Sequence, residues 1–129
     1  MKLKELRLYG TTDSSGDLTV NATQAVYGQL YAVQWIDGTL TDANGAVITS
    51  QLYDDGTATT LFTMAASDAL GNADAVYYPR VVVHSEAGAA LAGTSGGDRV
   101  MQVIAGKPRL VITAGGATKT GGCILHYLE

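Results

Sequence analysis

Two histidines and one cysteine, His84, His126 and Cys123, are the side chains best suited to nucleophilic or acid–base chemistry. A thiolate–imidazole pair needs the two groups side by side. Cys123 and His126 are three residues apart on an expected strand, where such residues face opposite sides. Ser95 has the Gly-x-Ser-x-Gly spacing of a hydrolase nucleophile, in Gly93-Thr94-Ser95-Gly96-Gly97, but it lies in a loop of small residues that a predicted strand follows, where the motif needs a helix. We therefore expect ordinary strand histidines and no catalytic residue.

Three further patterns resemble binding or catalytic motifs but fail on spacing. Ala114–Thr120 does not fit the phosphate loop G-x-x-x-x-G-K-[ST], because Thr113 and Thr118 occupy the positions of its two glycines, and no helix pattern follows. Asp42 and Asn44 have the spacing of the first two ligands of a calcium-binding loop, but no glutamate stands at the twelfth position, where such a loop needs one. Asp54 and Asp55 are adjacent acids in a predicted turn, where both would be solvated. The sequence predicts a hairpin turn at 115–120, with no metal site and no cofactor.

The elements that would position these groups are short β-type runs separated by Gly, Asn and Asp turns, which is typical of an all-β sandwich or a small barrel. The runs are Gln29–Ile36, Ala46–Leu52, Thr59–Met64, Val76–His84, Arg99–Ala105, Arg109–Ala114 and Cys123–Leu128. The last three are expected to form a meander with a turn at Gly106-Lys107-Pro108. Residues 65–75 have a helical composition, but Gly71 cuts the segment short. The sequence predicts one antiparallel β-sandwich domain over residues 1–129, with residues 1–9 an N-terminal arm or an edge strand.

Gln29–Ile36 is the best-patterned strand. By period two, Tyr31 and Trp35 share one face, and Leu30 and Ile36 share the other, so that both faces are largely apolar. A strand of this kind is central in a sandwich, or one of its faces is covered by a partner subunit. We therefore take Tyr31 and Trp35 as candidate subunit-interface residues.

The net charge of −4 is unevenly distributed. Residues 1–7 contain three basic residues and one acidic residue, residues 8–79 eight acidic and no basic residues, and residues 80–129 five basic and three acidic residues. The acidic middle would repel phosphates, so nucleic acid is not an expected partner. No apolar run reaches the roughly 20 residues that a bilayer span needs, so no membrane partner is expected either. The N-terminal basic residues Lys2, Lys4 and Arg7 are expected to contact an acidic protein surface.

Two stretches have a family resemblance. The first is Ala25-Val26-Tyr27-Gly28-Gln29-Leu30-Tyr31-Ala32-Val33-Gln34-Trp35-Ile36-Asp37-Gly38. The second runs from Tyr77-Tyr78-Pro79-Arg80-Val81 through Gly97-Asp98-Arg99 and Gly106-Lys107-Pro108-Arg109-Leu110-Val111-Ile112 to Gly115-Gly116-Ala117-Thr118-Lys119-Thr120-Gly121-Gly122-Cys123-Ile124-Leu125-His126-Tyr127. Together they resemble small proteins from the structural gene clusters of tailed bacteriophages, a group that includes capsid decoration (cement) proteins.

The resemblance implies a β-sandwich or jelly-roll subunit that forms a homotrimer and binds the major capsid protein on the outside of the shell. Such a protein is made in the cytoplasm of the host bacterium, ends in the virion and has no catalytic residue. Its role is mechanical, because it bridges capsomers so that the shell resists the pressure of the packaged DNA. Lys2, Lys4 and Arg7 would be the candidate capsid contacts, and removing residues 1–9 would leave a folded oligomer with reduced capsid occupancy.

Three alternatives stay open. Another virion component, such as a tail, head–tail connector or fibre protein, would share the same composition and oligomerisation. A carbohydrate-binding module on the phage surface would expose Tyr77 or Tyr78 in a groove, where aromatic rings stack on a ligand. A hydrolase would depend on His84 or His126.

Overall fold

The computed structural model describes residues 1–41, 45–51, 58–64, 73–82 and 99–129. Within them it contains ten β-strands and no helix. The strands are β1 (Leu3–Thr11), β2 (Leu18–Asn21), β3 (Val26–Ile36), β4 (Gly45–Gln51), β5 (Ala58–Met64), β6 (Ala75–Tyr77), β7 (Val81–Val82), β8 (Arg99–Val100), β9 (Val103–Thr113) and β10 (Thr120–Leu128). All pairings among them are antiparallel, which confirms the all-β antiparallel class. The sandwich arrangement itself stays a prediction.

Hydrogen bonds connect eight of these strands into one sheet. Its order is β1-β10-β3-β9-β4-β5, with β2 added on β9 and β6 added on β3, while β7 and β8 pair with each other. The long strand β9 joins the two halves, because Val103–Gly106 pair with β3 and Lys107–Thr113 pair with β4. We call β1, β10, β3 and β6 the first half, and β2, β9, β4 and β5 the second half.

The predicted turn at Gly106-Lys107-Pro108 is wrong, because β9 continues through it. Every second residue from Ile104 to Ile112 is buried, and Pro108 itself has a fully buried side chain. This alternation extends the strand past two residues that usually mark turns. The predicted meander and the hairpin at 115–120 are also wrong, since β3 lies between β9 and β10.

The loop between β9 and β10 packs against the loop that follows β1. The Gly115 N–H donates to the Gly16 carbonyl at 2.8 Å. The Lys119 N–H donates to the Thr12 hydroxyl at 2.8 Å, and that buried hydroxyl in turn donates to the Gly116 carbonyl. The segment that resembles a phosphate loop therefore serves to hold two loops together.

One core cluster contains buried apolar side chains from both halves of the sheet. Its members are Leu8, Ala22, Val26, Leu30, Val33, Trp35, Leu40, Ala46, Ile48, Leu61, Ile104, Leu110, Ile112, Cys123 and Leu125. Since Leu8 comes from β1 and Leu125 from β10, the strands at the N-terminus and the C-terminus are both part of the core.

A β-bulge in β3 changes which side chains face the core. Leu30 lies opposite Tyr127 and Ala32 lies opposite His126, so Tyr31 has no residue opposite it. One extra residue reverses the alternation along a strand. Trp35 is accordingly buried at 1% exposure, while Tyr31 is 40% exposed. The prediction that these two side chains share a face is wrong, and Trp35 is a core residue of the single chain.

Candidate interaction surface

The pairing register of the first half sorts its side chains into two faces. Residues directly opposite each other in antiparallel strands have side chains on the same side of the sheet. One such row is Leu8, Cys123 and Trp35, which face the core. The rows between the core-facing rows point outward. Two of these outward rows are Leu3, Leu128, Gln29, Val103 and Arg7, Ile124, Gln34, Val76.

The outward side of the first half is rich in large apolar side chains. We call it the apolar face and define it by Leu3, Tyr27, Val76, Val103, Ile124 and Leu128. Tyr27 is 64% exposed and Val103 is 62% exposed. These two residues are diagonal neighbours, because Tyr27 pairs with Ala105 and Gln29 pairs with Val103. Apolar side chains of this size, grouped on one surface, indicate a contact surface.

The outward side of the second half has a different composition. Between the buried residues Ile48, Leu110 and Ile112 its strands present threonines, together with the exposed basic residues Lys107 and Arg109 and the half-buried valines Val47 and Val111. We call this the threonine face; its threonines are Thr19, Thr49, Thr60, Thr63 and Thr113. Polar residues alternating with buried apolar ones are typical of a sheet side that faces water. The two sides therefore differ in exposure: Tyr27 and Val103 are largely exposed on the apolar face, whereas no large apolar side chain among the described residues of the threonine face is exposed.

A small polar group lies within the apolar face. The His126 Nε2 atom is 3.0 Å from the Gln34 Oε1 atom, and its Nδ1 atom is 3.7 Å from a Glu5 carboxylate oxygen. The Arg7 guanidinium lies 4.6 Å from the centre of the Tyr9 ring. Cys123 points the other way, into the core, as the residue spacing predicted.

An aromatic cluster forms at the bulge. The rings of Tyr31 and Tyr78 meet edge-on with centroids 5.8 Å apart. Arg80 lies 5.9 Å from the Tyr31 ring centre and donates a hydrogen bond to the Tyr31 carbonyl at 3.0 Å. Tyr78 is 58% exposed, whereas Tyr77 is half-buried and stacks on Phe62. Tyr31 therefore keeps its candidate role as an interface residue, and Tyr78 is the exposed member of the Tyr77-Tyr78 pair.

The three N-terminal basic residues do not form one patch. Residues 3–11 are an edge strand paired with β10 along its whole length, so they are not a free arm. Lys4 lies 2.5 Å from the Glu129 carboxylate, and this contact raises the pKa of the Lys4 ammonium. Lys2 exchanges backbone hydrogen bonds with Glu129. Arg7 lies on the opposite side of β1 from Lys4, because odd and even residues of a strand face opposite sides.

The sequence contains a signal for two residues of the apolar face, Leu3 and Val103. In β9 the alternation that buries Ile104 and Leu110 places Val103 on the exposed side. In β1 Leu3 has the opposite parity to the core-facing residues Leu6 and Leu8. Period two alone therefore predicts that Leu3 and Val103 face away from the core.

Several residues considered for chemistry lie outside the described residues, namely Asp42, Asn44, Asp54, Asp55, His84 and Ser95. Within the described ranges, no three His, Cys, Asp or Glu side chains are grouped closely enough to hold a metal ion. The same ranges contain no helix of the length and apolar character needed to cross a membrane.

We expect the Cys123 thiol to be inert in the folded chain. Burial raises the pKa of Cys123 to about 12. The reactive species is the thiolate, so ionisation alone should slow alkylation by about 1,000-fold relative to an unperturbed thiol. Iodoacetamide labelling at pH 8 followed by mass spectrometry should show no labelling of the native chain and full labelling in urea. Rapid native labelling would contradict the position of Cys123 in the core.

A scan against protein-family models finds no match to this chain, and searches of the curated proteins and of the solved structures find none.

Proposed function

We propose that the chain is a virion structural protein of a tailed bacteriophage, a capsid decoration (cement) protein that binds the outside of the major capsid shell. The observation behind the proposal is the apolar face, in which Tyr27 and Val103 are largely exposed on one side of the fold. The other outward side is the threonine face. A fold with one apolar outward side suits a protein that works within an assembly of protein chains, whether these are further copies or shell subunits.

The family resemblance and the apolar face involve the same strands. The first resembling stretch, residues 25–38, covers β3, and the second includes residues 106–112 of β9 and nearly all of β10. These stretches contribute Tyr27 and Ile124 to the apolar face. Two of the residues that define the apolar face therefore lie in the stretches that resemble phage structural proteins.

The proposed mechanism is mechanical. Each subunit adds protein–protein contacts across the boundary between neighbouring capsomers, and those contacts must be broken before the shell can open. Many copies bound to one shell make modest individual contacts sufficient, because linked binding events add up. The partners are the major capsid protein and further copies of the chain, assembled as a homotrimer on the exterior of the virion.

Binding to shells that lack the protein tests this function. We expect the purified chain to co-sediment with such shells, to saturate, and to give added density on the shell exterior in a particle reconstruction. Shells saturated beforehand with unlabelled chain are the control and should bind no more. Density confined to the tail, connector or fibres would replace decoration with one of those virion roles. Failure to associate with any particle would end the virion proposal.

A second candidate, carbohydrate binding, rests on Tyr78. Its ring is mostly exposed and lies beside Tyr31 and Arg80, and exposed aromatic rings can stack on sugars. A glycan array probed with the chain and with Tyr78→Ala decides the matter. Binding that disappears in the variant would favour this candidate, and an array without signal would remove it.

A further inference from the structure

We infer that the apolar face is buried against a second copy of this chain. The inference rests on the proposed function, in which the protein acts as one of several identical subunits, and it names the surface by which those subunits meet. Three observations support a second copy as the occupant: the size of the face, its charge balance and its contrast with the other outward side of the described sheet.

The face has about the size that a stable contact needs. The nine residues of β1, at about 3.4 Å each, give a length of about 30 Å. Four strands at about 4.8 Å each, namely β1, β10, β3 and the flanking β6 or β9, give a width of about 19 Å. The projected area is then about 570 Å², and protruding side chains such as Tyr27 add to it. Standard interfaces bury about 800 Å² on each partner.

The charges on the face are balanced and self-complementary. Among the described residues in the outward rows of the first half, Glu5 is the one acidic residue and Arg7 is the one Lys or Arg. The two are neighbours on the same side of β1. A second copy brings its own Glu5 and Arg7, so each carboxylate can meet a guanidinium across the interface. A face that several copies turn toward one shared symmetry axis must supply both members of each such charge pair, in a trimer as in a dimer.

The other outward side of the described sheet is less suited to self-association. The protein has a net charge of −4, so two copies repel each other in general. Described acidic side chains such as Asp13, Asp17 and Asp37 lie in the connections between strands, away from the outward rows. The threonine face carries Lys107 and Arg109 and no described acidic residue in its rows, so two copies meeting there would bring like charges together, which the balanced apolar face avoids. Burial of the apolar side chains of this face then contributes favourable free energy to the association.

Two substitutions at the ends of one strand test the inference. Val103 and Thr113 are both exposed and both lie on β9, but Val103 belongs to the apolar face and Thr113 to the threonine face. We expect the full chain, without any capsid present, to sediment as an oligomer. Val103→Lys should weaken its self-association at least about tenfold, since a charge would then be buried at the contact. Thr113→Lys should leave the association unchanged.

Tyr27→Ser is the second variant, and it should weaken self-association without introducing a charge. Circular dichroism and thermal unfolding verify that all three variants are folded. A wild-type chain that stays monomeric at about 100 μM, or folded Val103→Lys and Tyr27→Ser variants that associate like the wild type, would overturn the inference. Since no shell is present, either result is separate from the shell-binding test of the proposed function.

Discussion

Deletion of residues 1–9 is expected to abolish the cooperative unfolding transition of the chain. These residues include most of β1, which is paired with β10 from Leu3 to Thr11. Leu8 is 1% exposed and belongs to the core cluster. Loss of one buried leucine side chain costs about 2–5 kcal/mol, and domains of this kind are stable by only about 5–15 kcal/mol. The deletion also removes a full strand ladder and uncovers β10.

Circular dichroism and urea unfolding measure this effect. The matched control is the triple variant Lys2→Gln, Lys4→Gln, Arg7→Gln, which removes the same positive charges but keeps the strand. These side chains are exposed, so the triple variant should fold with nearly the wild-type midpoint. A truncated chain with an unchanged midpoint would show that β1 does not support the core. The expectation from sequence, a folded oligomer without its arm, is replaced because the segment is part of the sheet.

Strand positions could be predicted from the sequence, because a strand with one buried face has an apolar residue at every second position. The predicted run Gln29–Ile36 falls within β3, and Thr59–Met64 falls within β5. Strand order could not be predicted in this way. The position of β10 between β1 and β3 depends on which apolar faces share a core, and local alternation does not contain that information.

The continuation of β9 through Gly106 and Pro108 could have been predicted from the sequence. The alternating set Ile104, Leu110 and Ile112 has the period of a single strand, but glycine and proline usually mark turns. In this chain the register of β9 with β4 prevails, since Lys107–Thr113 pair continuously with Gly45–Gln51. Burial of the alternating face therefore outweighs the local turn preference.

The candidate site was predictable only in part. The separation of Lys4 from Arg7 follows from residue parity alone, because odd and even residues of a strand face opposite sides, whereas charge without side-chain direction groups them together. The bulge at Tyr31 could not be predicted from β3 alone, because a bulge is defined by the pairing with the neighbouring strand. It arises here since Leu30 and Ala32 pair with consecutive residues of β10. Since the bulge reverses the alternation, it decides that Tyr31 is exposed and that Trp35 is in the core.

Trp35→Ala is expected to destabilise the chain by about 3–5 kcal/mol, the usual cost of removing a buried tryptophan side chain. The indole is 1% exposed and lies between Cys123 and Ala75 in the core-facing row. Its Nε1–H is buried without a hydrogen-bond partner among the described residues. Trp35→Phe should therefore cost clearly less, because phenylalanine keeps most of the apolar volume and removes an unsatisfied donor.

Urea unfolding followed by circular dichroism, at two protein concentrations, separates a core role from an interface role. A core residue lowers the stability of each chain, so the loss relative to wild type should be the same at both concentrations. Tyr31→Ala is the matched control, an exposed aromatic on the same strand, and it should cost much less. If Trp35→Ala instead left each chain as stable as the wild type and only weakened self-association, Trp35 would be an interface residue. Its burial within one chain predicts the opposite, because a side chain already removed from water gains nothing further when a second copy binds.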